Sequence, residues 1–170
     1  ITTSNVATSF EYDGSSWTAT PSMATARQSI GAGGVSSPST AAIGAGGYVS
    51  PGTTAATEEY SLSIYSPIAA TWASGGNLNT ARESGAVSGT KTAGLYAGGK
   101  VYPNSFQNAS EEYDGTSWAE GNNLGTARSN IGGAGTQTAG LAAGGTNGAP
   151  GSTGVQTATE EYGGTSWTAG

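Results

Sequence analysis

The stretch EEYDGTSW, residues 111–118, decides the fold because the chain repeats it. Near copies are FEYDGSSW at 10–17 and EEYGGTSW at 160–167. Each copy reads as a short strand, a turn that contains glycine, and a tryptophan that begins a second strand. The repetition predicts one hairpin that is used several times in a larger architecture.

A longer unit surrounds this hairpin, and its tyrosines are 48, 53 and 49 residues apart. The unit begins with Thr-Ala-Arg, and a Gly-Gly pair, a Glu-Tyr pair and a tryptophan follow in that order. Because these residues recur in every unit, we interpret them as structural repeat anchors. The anchors are Tyr12, Trp17, Arg27, Tyr60, Trp72, Arg82, Tyr113, Trp118, Arg128, Tyr162 and Trp167.

Each unit predicts four short strands. In the last unit they are SNIGGAG (129–135), TAGLAAGG (138–145), ATEEY (158–162) and the strand that carries Trp167. In the hairpin, Asp114-Gly115 favours a type I′ turn, in which both central residues have positive φ. Short strands separated by turn residues indicate an all-β protein.

A four-stranded sheet cannot bury both of its faces, so successive sheets must stack. Arginine at the start, Gly-Gly after the second strand, tyrosine in the third and tryptophan in the fourth together resemble the kelch repeats. The resemblance covers essentially the whole chain and implies a kelch-like β-propeller segment of four-stranded antiparallel blades. It implies about three and a half blades: a half blade at 1–20, with third and fourth strands only, and whole blades at 21–73, 74–119 and 120–170, together one propeller segment.

Closed propellers have typically 4–8 blades, which exceeds this number. We therefore expect the ring to be completed either by more chain or by other subunits, and we favour a longer parent chain. The sequence departs from the usual repeat in having few Val, Ile and Leu residues, and in an insertion that begins at Ser61.

Composition excludes several functional classes. The net charge of −6 disfavours nucleic acid and anionic membranes as partners. The chain has neither Cys nor His, so thiolate and imidazole metal sites and Ser/His/Asp catalysis are excluded within it. We predict no catalytic residue, no metal site, no cofactor and no membrane insertion.

The glutamate pairs 58–59, 111–112 and 160–161 invite an acid–base interpretation. Neighbouring residues of a strand point to opposite faces, however, so a pair is not a carboxylate dyad. We expect one glutamate of each pair to bind the arginine of a unit, for example Arg128 with Glu112 or Glu161. Asp13 and Asp114 precede glycine, and we interpret them as turn residues rather than calcium ligands.

Aromatic residues that do not follow the repeat are the candidates for ligand or partner binding. Tyr48, Tyr102 and Phe106 lie between the second and third strands of their units, and Tyr65 lies in the insertion. Loops on a rigid scaffold often carry binding. The alternative is that these side chains cover blade edges or make subunit contacts.

The Gly/Thr/Ala-rich style of the repeats resembles structural proteins of bacteriophages and marine viruses. That resemblance implies a non-enzymatic protein of the virion surface, such as a tail fibre, a receptor-binding appendage or a capsid decoration. Its partners would be other subunits of an assembly, including copies of itself, or a host-surface glycan or protein. The alternative is a secreted bacterial surface propeller that binds glycans or proteins; both alternatives place the chain outside the cell or on a virion.

Overall fold

The computed structural model describes residues 4–12, 14–34, 41–61, 71–149 and 154–170. Within these ranges the regular elements are strands, and they form six sheets: one for each blade or half blade, and two short hairpins. Asp13 and Tyr65, which the sequence singled out, lie outside the described residues.

Each blade sheet takes its strands from one continuous stretch of the chain. The half blade pairs β1 (Ser9–Tyr12) with β2 (Trp17–Thr20). The second blade contains β3 (Gly31–Gly34), β4 (Ala41–Ala45), β7 (Thr57–Ser61) and β8 (Thr71–Ser74). The third contains β9 (Ala86–Thr90), β10 (Ala93–Ala97), β13 (Ser110–Tyr113) and β14 (Trp118–Glu120). The last contains β15 (Gly132–Thr136), β16 (Ala139–Ala143), β17 (Thr159–Tyr162) and β18 (Trp167–Ala169).

Every blade is an antiparallel meander, in which each strand pairs with the next one of its sheet. Two short hairpins stand between the second and third strands of the middle blades. They are β5 (Tyr48–Val49) with β6 (Gly52–Thr53), and β11 (Lys100–Val101) with β12 (Ser105–Phe106). The predicted first strand of the last blade begins late, because Asn130 has a positive φ of 54° and Ser129 pairs with Thr146 instead.

The blades stack through their first strands, with β3 against β9 and β9 against β15. The hydrophobic core lies in these junctions, where Ile43, Tyr96 and Trp118 form part of one buried cluster. Small residues allow the close approach, since a Cβ at Gly33 would lie 3.2 Å from the backbone of Ser88. This explains why the strands are poor in large aliphatic residues.

A buried arginine ties the strands of each whole blade together. The Arg82 Nη2 atom donates to Glu111 Oε1 at 2.7 Å, and the Arg128 Nη2 atom donates to Glu160 Oε1 at 2.8 Å. Arg27 makes the same ion pair with Glu58. An ion pair between arginine and one glutamate of each pair is therefore present. The partners predicted for Arg128 were wrong, because the first glutamate of the pair points to the arginine side of the blade.

The hairpin EEYDGTSW also differs from its predicted turn. Tyr113 pairs with Trp118, so residues 114–117 form a four-residue loop. Gly115 has a φ of 93°, but Asp114 is not among the residues with positive φ. Instead its carboxylate accepts hydrogen bonds from the backbone N–H groups of Thr116 and Ser117, both at 2.8 Å. The type I′ prediction was wrong because this side-chain cap stabilises a longer loop.

Candidate functional site

The β5–β6 and β11–β12 hairpins carry most of the aromatic residues that the sequence marked for binding. Tyr48 pairs with Thr53 in the first hairpin, and Lys100 pairs with Phe106 in the second. Each hairpin is joined to the start of its own blade by a β-bridge, Gln28 with Tyr48 and Glu83 with Lys100. Each hairpin is thus held against the segment that precedes the first strand of its own blade.

Tyr48 and Tyr102 come together across two adjacent blades. Their ring centroids lie 6.1 Å apart, and the ring planes are inclined by 47°. Tyr102 is 55% exposed and Tyr48 is half-buried, so the pair presents an aromatic surface to solvent. Such a pair is a stable arrangement for two rings and offers flat apolar area with hydroxyl groups at its edge.

Phe106 lies apart from this pair. It is half-buried, and a Cβ at Gly148 would lie 2.3 Å from its Cε2 atom, so its ring covers the glycine of the next blade. This position corresponds to the alternative in which the aromatic residue protects a blade edge. The structure therefore brings together Tyr48 and Tyr102, and it places Phe106 in a packing contact.

Polar groups stand on the second hairpin and directly after it. The Lys100 Nζ atom lies 3.5 Å from Glu83 Oε1, and the lysine side chain remains partly exposed. The Gln107 side-chain amide donates to Ser105. Aromatic area with a few orienting polar groups is the usual composition of a ligand surface.

A second feature that sequence reasoning missed is a row of turns, one in each whole blade, that are joined by hydrogen bonds between blades. Ser29, Ser84 and Asn130 have φ values of 52°, 59° and 54°. The Ser84 N–H donates to the Ser29 carbonyl at 3.2 Å, and the Asn130 N–H donates to the Ser84 carbonyl at 2.7 Å. Each of these residues stands two positions after the arginine of its unit, and that spacing is the signal by which they could have been found.

The hairpin tyrosines of the last two blades each bind a glutamate of the preceding blade, a contact that the sequence did not reveal. Tyr113 donates to Glu59 of the preceding blade at 2.6 Å, and Tyr162 donates to Glu112. Burial, followed by the hydrogen bond to the carboxylate, raises the pKa of both tyrosines to about 12. Glu59 and Glu112, the second glutamates of their pairs, therefore accept a hydrogen bond from the following blade, whereas Glu58 and Glu111, the first glutamates, bind the arginines.

An apolar groove of about 340 Å³ lies between the half blade and the second blade. Its walls include Glu11, Ala42, Tyr60 and Trp72. It lies beside β1, at the edge where the other blades have their second strand. Tyr60 is the counterpart of Tyr113, and burial together with the charge of Glu11 raises its pKa.

Within the described ranges no three residues of the types Asp, Glu, His and Cys are placed to hold a metal ion together. Across the same ranges, no helix has the length and apolar character needed to cross a bilayer.

Comparison with known proteins gives the fold but no family. No protein-family model matches the chain, and no curated protein matches it. The solved structure of YjhT is similar, with a TM-score of 0.69 and 12% sequence identity over 91% of this chain and 48% of that chain. This chain thus spans about half the length of YjhT. At this identity the likeness shows the fold alone, and it confirms an all-β, propeller-like architecture with four-stranded antiparallel blades.

Proposed function

We propose that this chain is a non-enzymatic binding module of the kelch type, and that it belongs to the surface of a virion. A propeller-like fold is compatible with a binding role without catalysis. The observation that carries the proposal is the pair formed by Tyr48 and Tyr102, which two adjacent blades hold 6.1 Å apart at the surface.

The chemistry of the pair favours a glycan or a protein of the host surface as its partner. Flat aromatic area stacks on the apolar face of a sugar ring or on another side chain, and Lys100, in the same hairpin as Tyr102, supplies hydrogen-bond donors. Holding the rings on hairpins that are bridged to the scaffold lowers the entropy that binding must overcome. Because the net charge is −6, we expect no positively charged groove that could bind nucleic acid.

Binding at this surface is tested with a glycan array and with whole host cells. We expect Tyr102→Ala to abolish binding that the native chain shows, because it removes the exposed ring. Phe106→Tyr is the matched control, since its ring covers Gly148 rather than facing the ligand. Equal binding by the Tyr102→Ala variant would contradict the assignment of this surface.

The virion location rests on the style of the repeats and needs a separate experiment. Antibodies against the chain should label intact virus particles in electron micrographs, at a tail fibre, an appendage or the capsid surface. Labelling of bacterial cells in place of particles would favour the alternative, a secreted bacterial surface propeller that binds glycans or proteins.

A further inference from the structure

We infer that Tyr48 and Tyr102 form an oxidative cross-linking site, at which a one-electron oxidant joins the two rings as dityrosine and so links two adjacent blades covalently. The oxidant is the oxidised haem of a peroxidase that is supplied with hydrogen peroxide. The inference needs only the two rings and this oxidant. It does not depend on the partner or the location proposed above, so either proposal can fail without the other.

The Tyr48–Tyr102 pair differs from the other ring contacts within the described residues. Its ring centroids lie 6.1 Å apart. The other contacts between aromatic rings in those ranges each join a tyrosine to a tryptophan. Two tyrosines in contact can couple to each other, whereas a tyrosine that faces a tryptophan lacks a second phenol. Among the described ring contacts, coupling to dityrosine is therefore available to this pair alone.

Main-chain hydrogen bonds hold each tyrosine on its own blade. Tyr48 exchanges two hydrogen bonds with Gln28 of the second blade, at 3.1 and 2.8 Å. Lys100, two residues before Tyr102, exchanges two hydrogen bonds with Glu83 of the third blade, both at 2.9 Å. The backbone that carries each ring is therefore fixed.

Hydrogen bonds between the two blades fix the first hairpin against the third blade. The Thr53 hydroxyl, opposite Tyr48 in its hairpin, donates to the Ala81 carbonyl at 3.2 Å. The Gly47 N–H, next to Tyr48, donates to the Arg82 carbonyl, also at 3.2 Å. Groups that a scaffold holds in contact react without the entropy cost of an encounter. Coupling within one chain should therefore be faster than coupling between chains.

Solvent access makes this pair reactive where most of the other tyrosines are protected. Tyr102 is 55% exposed, and Tyr48 is partly exposed. Four other tyrosines are at most 6% exposed, namely Tyr60, Tyr96, Tyr113 and Tyr162. Tyr12 is 50% exposed, but the ring beside it is that of Trp17. An oxidant in solution therefore reaches both members of the pair, and Tyr12 offers a comparison at similar exposure.

The coupling removes one electron and one proton from each phenol. The two tyrosyl radicals carry spin at the ring carbons beside the hydroxyl, the Cε atoms, and a C–C bond forms between one Cε atom of each ring. The hydrogen on each joined carbon then moves as a proton to the phenol oxygen, which restores both aromatic rings and both hydroxyls. Hydrogen peroxide accepts the two electrons and the two protons, its O–O bond breaks, and two water molecules result.

The link would supply a covalent constraint that the composition otherwise lacks. The chain contains no cysteine, so no disulfide can form within it. Dityrosine would join positions 54 residues apart, and a cross-link over such a loop stabilises a fold by restricting the unfolded chain. The linked protein should therefore unfold at a temperature higher by about 10 °C.

The experiment oxidises the dilute native chain with a haem peroxidase and hydrogen peroxide. Dityrosine fluorescence should develop, and the mass of the chain should fall by two hydrogen atoms. Mass spectrometry of a protease digest should identify linked peptides joined at Tyr48 and Tyr102. The yield per chain should stay constant on dilution, because the reaction is intramolecular. Thermal unfolding before and after oxidation measures the stabilisation.

Two variants and a matched control assign the link to these residues. Tyr48→Phe and Tyr102→Phe should each abolish the linked peptides and the rise in unfolding temperature, because phenylalanine keeps the ring but lacks the phenol. Tyr12→Phe is the control, since it removes a tyrosine of similar exposure outside the pair. The control should form the linked peptides at the native yield.

A tyrosine amide oxidised under the same conditions checks the reagent. A native chain that forms no dityrosine where this compound couples would overturn the inference. So would dityrosine that forms only between chains, or a native yield of dityrosine in Tyr102→Phe. A link at these residues without any rise in unfolding temperature would contradict the stabilising effect.

Discussion

At the scale of single residues, the buried arginine of each unit joins separate parts of its blade by hydrogen bonds. Arg128 donates to Glu160 and also to the carbonyls of Gly144 and Ala158, at 3.0 and 2.8 Å. The other oxygen of Glu160 accepts the Gly125 N–H at 2.8 Å. One ion pair thus ties the start of the blade, the Gly-Gly turn and the third strand together. Desolvation is the cost of this arrangement, and these hydrogen bonds offset it.

Removing one of these buried arginines should lower the stability of the fold. We expect Arg82→Met to lower the free energy of unfolding by about 3–5 kcal/mol, because Glu111 would be left buried without its cation. Burial already raises the pKa of Glu111, while the Asn79 N–H and Arg82 act against that rise. Urea denaturation measures this loss of stability. The loss should be smaller in acid, where Glu111 becomes neutral.

Lys100→Met provides the comparison, since it removes a cation from the partly exposed pair with Glu83. Such a pair contributes less than about 1 kcal/mol. If both variants lost the same stability, the buried ion pair of Arg82 would contribute no more than the partly exposed pair of Lys100.

The buried tyrosines set an alkaline limit on stability. Burial raises the pKa of Tyr96, Tyr113 and Tyr162 to about 12, from an ordinary value of 10.0. A group whose pKa is raised by folding stabilises the fold fully below pH 10, and that contribution is lost as the pH rises towards 12. We expect unfolding in this window, together with the ultraviolet absorbance of tyrosinate.

Tyr113→Phe isolates one of these groups. The variant should be less stable at neutral pH, because the bond to Glu59 is gone. It should also lose less stability between neutral and alkaline pH, because one ionisation is removed. A parallel pH profile for the two proteins would show that Tyr113 ionises equally in the folded and unfolded states.

At the scale of elements, the loop of the hairpin is held by one carboxylate. Asp114 caps the N–H groups of Thr116 and Ser117, and those hydrogen bonds hold its pKa below the ordinary value. The last blade has Gly163 at this position, with the same backbone bond from Gly163 N to Ser166 O at 3.1 Å. The loop of the last blade therefore keeps this backbone hydrogen bond although it lacks the aspartate cap.

Installing the cap should stabilise the last hairpin. Gly163→Asp has open space around its new Cβ, and it removes a glycine, which alone contributes about 0.4–1 kcal/mol. The part due to the carboxylate is present at neutral pH and is lost as the pH falls, since the cap lowers the pKa in the folded state. Thermal unfolding at two pH values measures both parts. Gly164→Asp should destabilise instead, because its φ is 83°.

At the scale of the whole molecule, stability comes from the junctions between blades. A blade buries its aromatic and aliphatic side chains only against its neighbour, as Leu95 does against the last blade. The same side chain at the end of the stack, Leu141, lies open. Position in the stack, and not residue type, therefore sets what a side chain contributes.

The two leucines test this directly. Leu95→Ala should cost about 2–5 kcal/mol, the usual loss for a buried leucine. Leu141→Ala should cost clearly less, because Leu141 is 38% exposed. Denaturant titration of both variants gives the comparison, and equal losses would show that the position of the leucine in the stack does not set its contribution.

The strands and their order were predictable because the signal repeats. Turn glycines, a tyrosine and a tryptophan at matching positions identify the blades from local residue types alone. The conformation of the loop at 114–117 was harder to predict. Asp-Gly suits several turn types, and the choice depends on which N–H groups the carboxylate binds. Tyr48 and Tyr102 were predicted as candidates from the sequence. They are 54 residues apart, so the contact between their rings depends on the stacking of two blades.

The sequence by itself determined that this chain is a stack of four-stranded blades, because repeated local patterns specify repeated local structure. Only the tertiary structure decided the partners of the charged and aromatic side chains. Adjacent glutamates such as Glu111 and Glu112 look alike in sequence, yet one binds the arginine of its own blade and the other accepts the tyrosine of the next. The physical reason is that a strand sends neighbouring side chains to opposite faces, and each face meets a different blade.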